Sequence, residues 1–242
     1  SRGRHSGGGL SRCGRARSLA GAGFEVSSGS GSSQAGPGPG LVLGAAAQTG
    51  LSYLSFRNPR YFWGLMTVGL SASALPGLRR LRQRPSQTSS GWLGLGLLAG
   101  LAGYALTAVG ALLARRLAIG RRSLEEIQQC AQGVSRPWAA LLVIPAGMGE
   151  EIFWREAVLA PYLEPGQSEI GALVGSTLVY AAVQAGSLQP LPPLGALLLG
   201  AGAGWLRIRS GSIWPAVAAH LVYSELCFVA PGLPRVGPKR PK

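Results

Sequence analysis

The densest group of ionisable residues in this chain lies between residues 150 and 156. Glu150, Glu151, Arg155 and Glu156 place four charges in seven residues, and apolar stretches flank them on both sides. The nine acidic residues of the chain are all glutamates. A charge at bilayer depth costs about 2.5–3.5 kcal/mol even on a lenient insertion scale, so such charges usually have a function. We therefore expect the chemistry of the chain to be carried by this segment.

The spacing within the segment separates two kinds of carboxylate. Glu151 and Arg155 are four residues apart, so on a helix they share a face and can pair. Glu150 is rotated by about 100° from Glu151 and can point into the interior of a helix bundle. One carboxylate held by an arginine, beside one left free, suits a general base. The competing interpretation is an interfacial network in which all four charges pair at a helix end.

Further polar side chains lie within other apolar stretches. His220 is at the middle of one such stretch, and Ser224 follows it on the same helical face. Tyr180 and Gln184 form another pair four residues apart. Polar and ionisable residues at bilayer depth are functional candidates, so we add these four side chains to the candidate site.

Several classes of hydrolase are excluded. An HExxH metalloprotease needs a second histidine on the same helix, and the only other histidine of the chain is His5. Aspartyl proteases need an aspartate, which the chain lacks. A serine–histidine dyad of Ser176 and His220 remains open, although it leaves the glutamates idle. With one usable histidine, a tightly held zinc or other divalent metal is disfavoured, so no cofactor is expected. Cys13, Cys130 and Cys227 have no metal-binding spacing and are expected to be buried, unreactive thiols.

The composition indicates which elements position these residues. The chain is 47% hydrophobic and only 13% charged, whereas soluble domains carry about 25% charged residues. The net charge of +14 does not indicate nucleic-acid binding, because aromatic residues are not interleaved with the basic ones. Basic residues instead flank apolar runs, as they do beside membrane helices. We predict an all-α membrane protein, a multi-pass transmembrane helix bundle with a polar cavity inside the bilayer.

About six spans are predicted, and they divide the chain into four regions. The spans cover roughly 61–78, 92–114, 137–158, 170–187, 191–207 and 212–230. Residues 1–50 are expected to be a disordered Gly/Ser/Arg-rich leader, 51–135 the first helices with basic loops, 136–230 the core that holds the candidate site, and 231–242 a basic tail. The leader also fits an organellar transit peptide or a misplaced start site. Residues 123–130 resemble an interfacial amphipathic helix, and Gly96 with Gly100 forms a possible close-packing motif.

These residues together resemble the CAAX-prenyl-protease and bacteriocin-processing (CPBP, or Abi) family of intramembrane proteases. The EExxxR motif of that family is matched by Glu150, Glu151 and Arg155. The stretch from Gly204 to His220 is similar to the segment that leads into the family's third motif. The resemblance covers about 137–230, and it identifies 136–230 as a protease-like core.

The resemblance implies a glutamic-type intramembrane endopeptidase that cuts a membrane-associated peptide or protein near its terminus. It implies that Glu150 activates water, that Glu151 and Arg155 form a supporting pair, and that His220 helps to stabilise the oxyanion or orient the water. The chain departs from the family at Gln184, where a histidine is usual, and at Ser224, where asparagine or aspartate is usual.

Two further functions stay open at this point. The first is that of a catalytically impaired family member, which would act as a membrane scaffold or binding protein. The second is that of a transporter gated by a buried Glu–Arg pair. The expected partners are a membrane-anchored substrate and the lipid bilayer, with no nucleic acid. The expected location is a bacterial cytoplasmic membrane, or an organellar membrane if the leader is a transit peptide.

Overall fold

Helices make up all of the regular structure in the residues that the computed structural model describes, which are 39–84, 87–163 and 166–229. This confirms the all-α prediction for those residues. The longer helices are α1 (Pro39–Arg57), α2 (Phe62–Ser73), α3 (Leu75–Gln83), α4 (Ser90–Ala114), α5 (Ala118–Ala131), α6 (Arg136–Glu151), α7 (Glu169–Gln184), α8 (Leu191–Ser210) and α9 (Trp214–Ser224). The predicted basic tail at 231–242 lies outside the described residues.

Three described helices are long and apolar enough to cross a membrane. They are α4, α7 with its following turn to Ser187, and α8, and they coincide with three of the predicted spans. The predicted span at 212–230 corresponds to an apolar but shorter helix, Trp214–Val229. The span predicted at 137–158 corresponds to α6 and a helical continuation, described below.

The span predicted at 61–78 is divided into two short helices, α2 and α3, which meet at Ala74. Pro76 occupies the first turn of α3. Proline lacks an N–H and its ring collides with the carbonyl four residues earlier, so α2 cannot continue through it. At about 1.5 Å per residue, α2 alone does not cover a hydrocarbon core of about 30 Å.

Helix α1 is an element that the sequence did not predict. Residues 39–50, which we expected to be disordered, form its first part, whereas residues 1–38 lie outside the described residues. Three of its polar residues, Gln48, Ser52 and Ser55, are buried. Their spacing of four and then three residues puts them on one helical face, which is turned into the bundle.

Helix α6 changes its geometry at the charged segment. Glu150 and Glu151 are its last residues, and the chain continues as a π-helix over Ile152–Leu159. The N–H of Ala160 donates to the carbonyl of Arg155, five residues earlier. Such π segments occur frequently at functional sites, where the extra residue per turn changes the direction of the following side chains.

Helix α9 is held tightly against α4. A Cβ atom added to Gly96 would collide with the carbonyl oxygen of Pro215, and one added to Gly100 would lie 2.5 Å from the carbonyl oxygen of Ala219. The two glycines therefore let the helix backbones touch, as predicted for this motif. Because Ala219 immediately precedes His220, this contact also sets the depth of the histidine in the bundle.

The two described cysteines, Cys130 and Cys227, are free and buried, which confirms the expectation for them; Cys13 lies outside the described residues. Cys130 packs with Phe62, Trp63, Ala139 and Val143. Burial, with a smaller contribution from the charge of Glu126, raises the pKa of the Cys130 thiol to about 11. At neutral pH this thiol is therefore protonated and a poor nucleophile.

Candidate active site

An ion pair at the end of α6 forms the base of the site. The Nε of Arg155 donates to Oε2 of Glu151 at 2.7 Å, and its Nη2 approaches Oε1 at 3.5 Å. Both side chains have 0% relative exposure. Removing one member of such a buried pair would leave an uncompensated buried charge, which is strongly destabilising. The pairing predicted from their spacing is therefore present.

Glu151 also orients the histidine of α9. The Nδ1 of His220 lies 2.8 Å from Oε1 of Glu151. A carboxylate bound by an arginine only accepts hydrogen bonds, so Nδ1 carries the proton and donates it. This bond turns Nε2 toward Glu150, whose Oε2 lies 3.7 Å away. That distance is longer than a direct hydrogen bond and leaves Nε2 available to another partner.

Glu150 points in a different direction from Glu151, as the helical rotation predicted. The Nε2 of Gln184 donates to Oε1 of Glu150 at 2.9 Å. The ring of Tyr180, one turn earlier on α7, lies 5.9 Å from the guanidinium carbon of Arg155. Helix α7 thus supplies the amide that holds Glu150 and an aromatic ring beside Arg155.

A cavity of about 390 Å³ opens beside Glu150. Its polar lining includes Glu150, Gln184, His220 and Ser224. Most of the remaining lining is apolar, including Phe56, Phe62, Trp63, Met66, Leu106 and Phe228. Glu150 therefore faces a space that can hold a ligand with a large apolar part, whereas Glu151 is fully buried behind it.

The fourth charge of the segment is directed away from this cluster. The Nε of Arg207 on α8 donates to Oε1 of Glu156 at 2.7 Å. The interpretation in which all four charges form one interfacial network is therefore wrong. Glu150, Glu151 and Arg155 converge with His220, and Glu156 serves a separate contact between the π segment and α8.

Ser176 and Ser224 occupy different surroundings. Ser176 lines a second cavity, between α1, the π segment and α7, and its hydroxyl donates to the carbonyl of Leu173. His220 lines the first cavity and is bonded to Glu151, so the structure gives no support to a Ser176–His220 dyad. Ser224 lies one turn after His220 in the wall of the first cavity.

The donor set does not favour a metal ion. Over the described ranges, no group of three or more His, Cys, Asp or Glu side chains is arranged to hold one. Glu151 and His220 are already bonded to each other, and Arg155 occupies the other oxygen of Glu151. The expectation that no metal is needed stays a prediction.

The comparison with known proteins agrees with the residues gathered at this site. Residues 133–225 match the family model of the type II CAAX prenyl endopeptidases, Rce1-like. This match confirms the predicted family resemblance for that region, which runs from just before α6 to just after α9. No curated protein and no solved structure matches the chain.

One member of the hydrogen-bonded cluster lies outside the matched region and was not predicted. The hydroxyl of Ser52 on α1 donates to Oε1 of Gln184 at 3.2 Å, and both side chains are buried. Glycine, alanine and serine make α1 too weakly hydrophobic to stand out as a membrane-like segment. The recurrence of polar residues at 48, 52 and 55 is the pattern that could have revealed its inward face.

Proposed function

We propose that this protein is a membrane-embedded endopeptidase in which Glu150 activates the attacking water. The observation that carries the proposal is the different surroundings of two adjacent carboxylates. Glu151 is occupied by Arg155 and His220, whereas Glu150 faces the cavity. The match of 133–225 to a CAAX endopeptidase family supports the same reaction class.

The proposed reaction begins when Glu150 accepts a proton from water held in the cavity. The oxygen of that water attacks the carbonyl carbon of the scissile peptide bond, and negative charge collects on the carbonyl oxygen. As the tetrahedral intermediate collapses, the C–N bond breaks and Glu150 returns the proton to the leaving amine. The same carboxyl group thus takes up the proton and returns it.

Stabilisation of the oxyanion falls to side chains that line the cavity. In the imidazolium form, His220 donates to Glu151 through Nδ1 and presents its Nε2–H to the cavity. Gln184 has a second N–H besides the one bonded to Glu150, and Ser224 has a hydroxyl donor. Loss of one donor of this kind typically costs about 10²–10³ in rate. Gln184 and Ser224 are neutral, but each still supplies a donor where the family has its usual residue, so this loss is avoided.

The walls of the cavity and the description of the matched family support a substrate class. We propose a membrane-anchored peptide or protein, cut near a terminus that carries an isoprenoid group. The aromatic and aliphatic lining fits such an apolar anchor. In this proposal α2–α3, α6 and α9 join the three long apolar helices as spans, which places the cavity within the bilayer. A bacterial cytoplasmic membrane, or an organellar membrane, is the proposed location.

The deciding experiment compares Glu150→Gln with the wild-type protein. Both would be reconstituted in liposomes and given a fluorescence-quenched peptide with a prenylated cysteine near its end. We expect Glu150→Gln to lose at least about 10²-fold in kcat/KM, because glutamine keeps the shape but cannot take a proton. Glu169→Gln is the matched control, since Glu169 is exposed at the start of α7.

Cleavage at the wild-type rate by Glu150→Gln would contradict this mechanism. An inactive wild-type protein that gains activity in a Gln184→His, Ser224→Asn double variant would instead support the impaired scaffold. The Glu169→Gln control has to cleave at the wild-type rate for the Glu150→Gln comparison to be read.

A further inference from the structure

Helix α1 contributes a side chain to the site from outside the region that matches the protease family. Ser52 donates to Oε1 of Gln184, and Nε2 of Gln184 donates to Oε1 of Glu150. We propose that Ser52 is a positioning residue that holds the Gln184 amide with its N–H group directed at Glu150. This inference rests on the proposed function, since it concerns the carboxylate that would activate water.

The direction of the amide matters because its two ends have opposite chemistry. The Nε2 end donates hydrogen bonds and the Oε1 end accepts them, although the two ends have almost the same shape. Directed at Glu150, Nε2 stabilises the carboxylate and keeps its other N–H for the cavity. A rotated amide would set Oε1 against a carboxylate oxygen, so two acceptors would face each other.

The position of Ser52 is itself fixed by contacts one turn earlier on α1. Gln48 donates from Nε2 to the hydroxyl of Ser73 at 2.8 Å and accepts from the indole of Trp154 at 3.0 Å. These two bonds tie α1 to α2 and to the π segment. Ser52 therefore reaches Gln184 from a preorganised helix.

The backbone of α1 also comes unusually close to the end of α7. A Cβ atom added to Gly186 would lie 2.6 Å from the carbonyl oxygen of Thr49. Real Cβ atoms do not approach an oxygen so closely, which means that glycine is needed to bring the two helices together there. This approach places the short side chain of Ser52 within reach of Gln184.

Ser55 supplies a matched comparison on the same helix. Like Ser52 it is a buried serine, with 0% relative exposure against 2% for Ser52. Its hydroxyl has no hydrogen-bond partner among the described residues. Replacing either serine by alanine removes one buried oxygen from α1, but only Ser52→Ala removes a bond to the site.

The kinetic test measures kcat and KM for Ser52→Ala and Ser55→Ala on the prenylated reporter peptide. We expect Ser52→Ala to lower kcat about 10-fold with little change in KM, and Ser55→Ala to stay within about 2-fold of wild type. In a Gln184→Met background, Ser52→Ala should cause no further loss, because its effect acts through the amide. Equal losses in the two serine variants, or a full loss in the Gln184→Met background, would overturn the proposal.

A second measurement separates this inference from the proposed function. Thermal unfolding in detergent of wild type, Ser52→Ala, Gln184→Met and the double variant gives the coupling between the two side chains without any substrate. Coupled shifts in Tm would confirm that Ser52 and Gln184 are in contact. If the wild-type protein were also inactive, the proposed function would be wrong, and so would a role of Ser52 in catalysis. Additive shifts in Tm would overturn the Ser52–Gln184 link even in an active enzyme.

Discussion

Two adjacent glutamates in this chain differ because their neighbours differ. Glu151 is bonded to Arg155 and His220, and it has no exposed surface. Glu150 borders a cavity and is held by Gln184. The rotation of one residue along a helix is enough to give one carboxylate a supporting position and the other a position facing the ligand space.

Arg155→Met tests the buried ion pair. We expect it to lower the free energy of unfolding by about 3–5 kcal/mol, because Glu151 would be left buried without its partner. Arg122 is the matched control: it also pairs with a glutamate four residues away, Glu126, but its side chain is 79% exposed. Exposed helix pairs contribute about 0.3–0.5 kcal/mol, so Arg122→Met should have little effect. Denaturant unfolding in mixed micelles would measure both, and equal losses would contradict the difference that burial predicts.

Sequence spacing predicted much of the site at the residue scale. The positions of Glu150, Glu151 and Arg155 indicated one paired and one free carboxylate, and His220 does join them. Ser52 was missed because a serine in a Gly/Ala-rich segment has no distinctive chemistry until its partner is known. Long-range partners such as Ser52 and Gln184 are brought together by tertiary packing, which no local pattern reports.

At the scale of elements, glycine positions decide how closely the helices approach. Gly96 and Gly100 bring the backbone of α4 against α9, which carries His220. Gly149 does the same between α6 and α2, since a Cβ atom there would lie 2.6 Å from the carbonyl oxygen of Leu70. The site is thus assembled from helices whose backbones touch beside the catalytic candidates.

Gly96→Ala tests the contact between α4 and α9. The added methyl group would collide with the Pro215 carbonyl, so α4 has to move away and Tm should fall by several degrees. Gly94→Ala on the same helix is the control, because nothing lies within 4 Å of a Cβ atom there. Alanine is the better helix former by about 0.5–1 kcal/mol, so the control should be neutral or slightly stabilising. A Gly96→Ala variant as stable as Gly94→Ala would show that the helices are farther apart.

Hydrophobic runs in the sequence predicted the long apolar helices well. They did not predict where a run is interrupted, or a helix that is only weakly apolar. The runs at 92–114, 170–187 and 191–207 correspond to single helices, because nothing within them interrupts the apolar pattern. The run at 61–78 is broken at Ala74, since Pro76 begins a new helix. Helix α1 was missed because its many glycine, alanine and serine residues dilute the apolar pattern, although Val42, Leu43 and Leu54 are exposed on its surface.

At the scale of the whole molecule, the outer surface is as informative as the core. Helix α4 is only 11% buried over its most apolar window. Large apolar side chains along it are exposed, including Leu93, Leu95, Leu97, Leu98, Leu101 and Val109. Soluble proteins rarely expose so large a contiguous apolar surface, so lipid is the solvent that this helix fits.

Leu101→Arg distinguishes a lipid-facing α4 from a water-facing one. Leu101 is 48% exposed near the middle of α4, and Leu117 is 63% exposed beyond its end. In a bilayer, an arginine at mid-helix costs about 2.5–3.5 kcal/mol, so Leu101→Arg should reduce the fraction of protein that resists carbonate extraction. Leu117→Arg, beside Arg115 and Arg116, should integrate normally. Equal integration of both variants would contradict a bilayer around α4, because exposed substitutions in water usually change stability by less than about 0.5 kcal/mol.

The polar contacts of four helices form a closed circuit. Ser52 links α1 to α7, Gln184 links α7 to α6, the hydroxyl of Ser71 on α2 donates to the Pro145 carbonyl of α6, and Gln48 returns from α1 to Ser73 on α2. Three links would suffice to join four helices in a row, and the fourth makes the set redundant. Four helices joined in a ring stay connected when any one of the four hydrogen bonds is removed. The loss of a single hydroxyl should therefore leave the helix bundle folded. Its first effect should be a misaligned side chain.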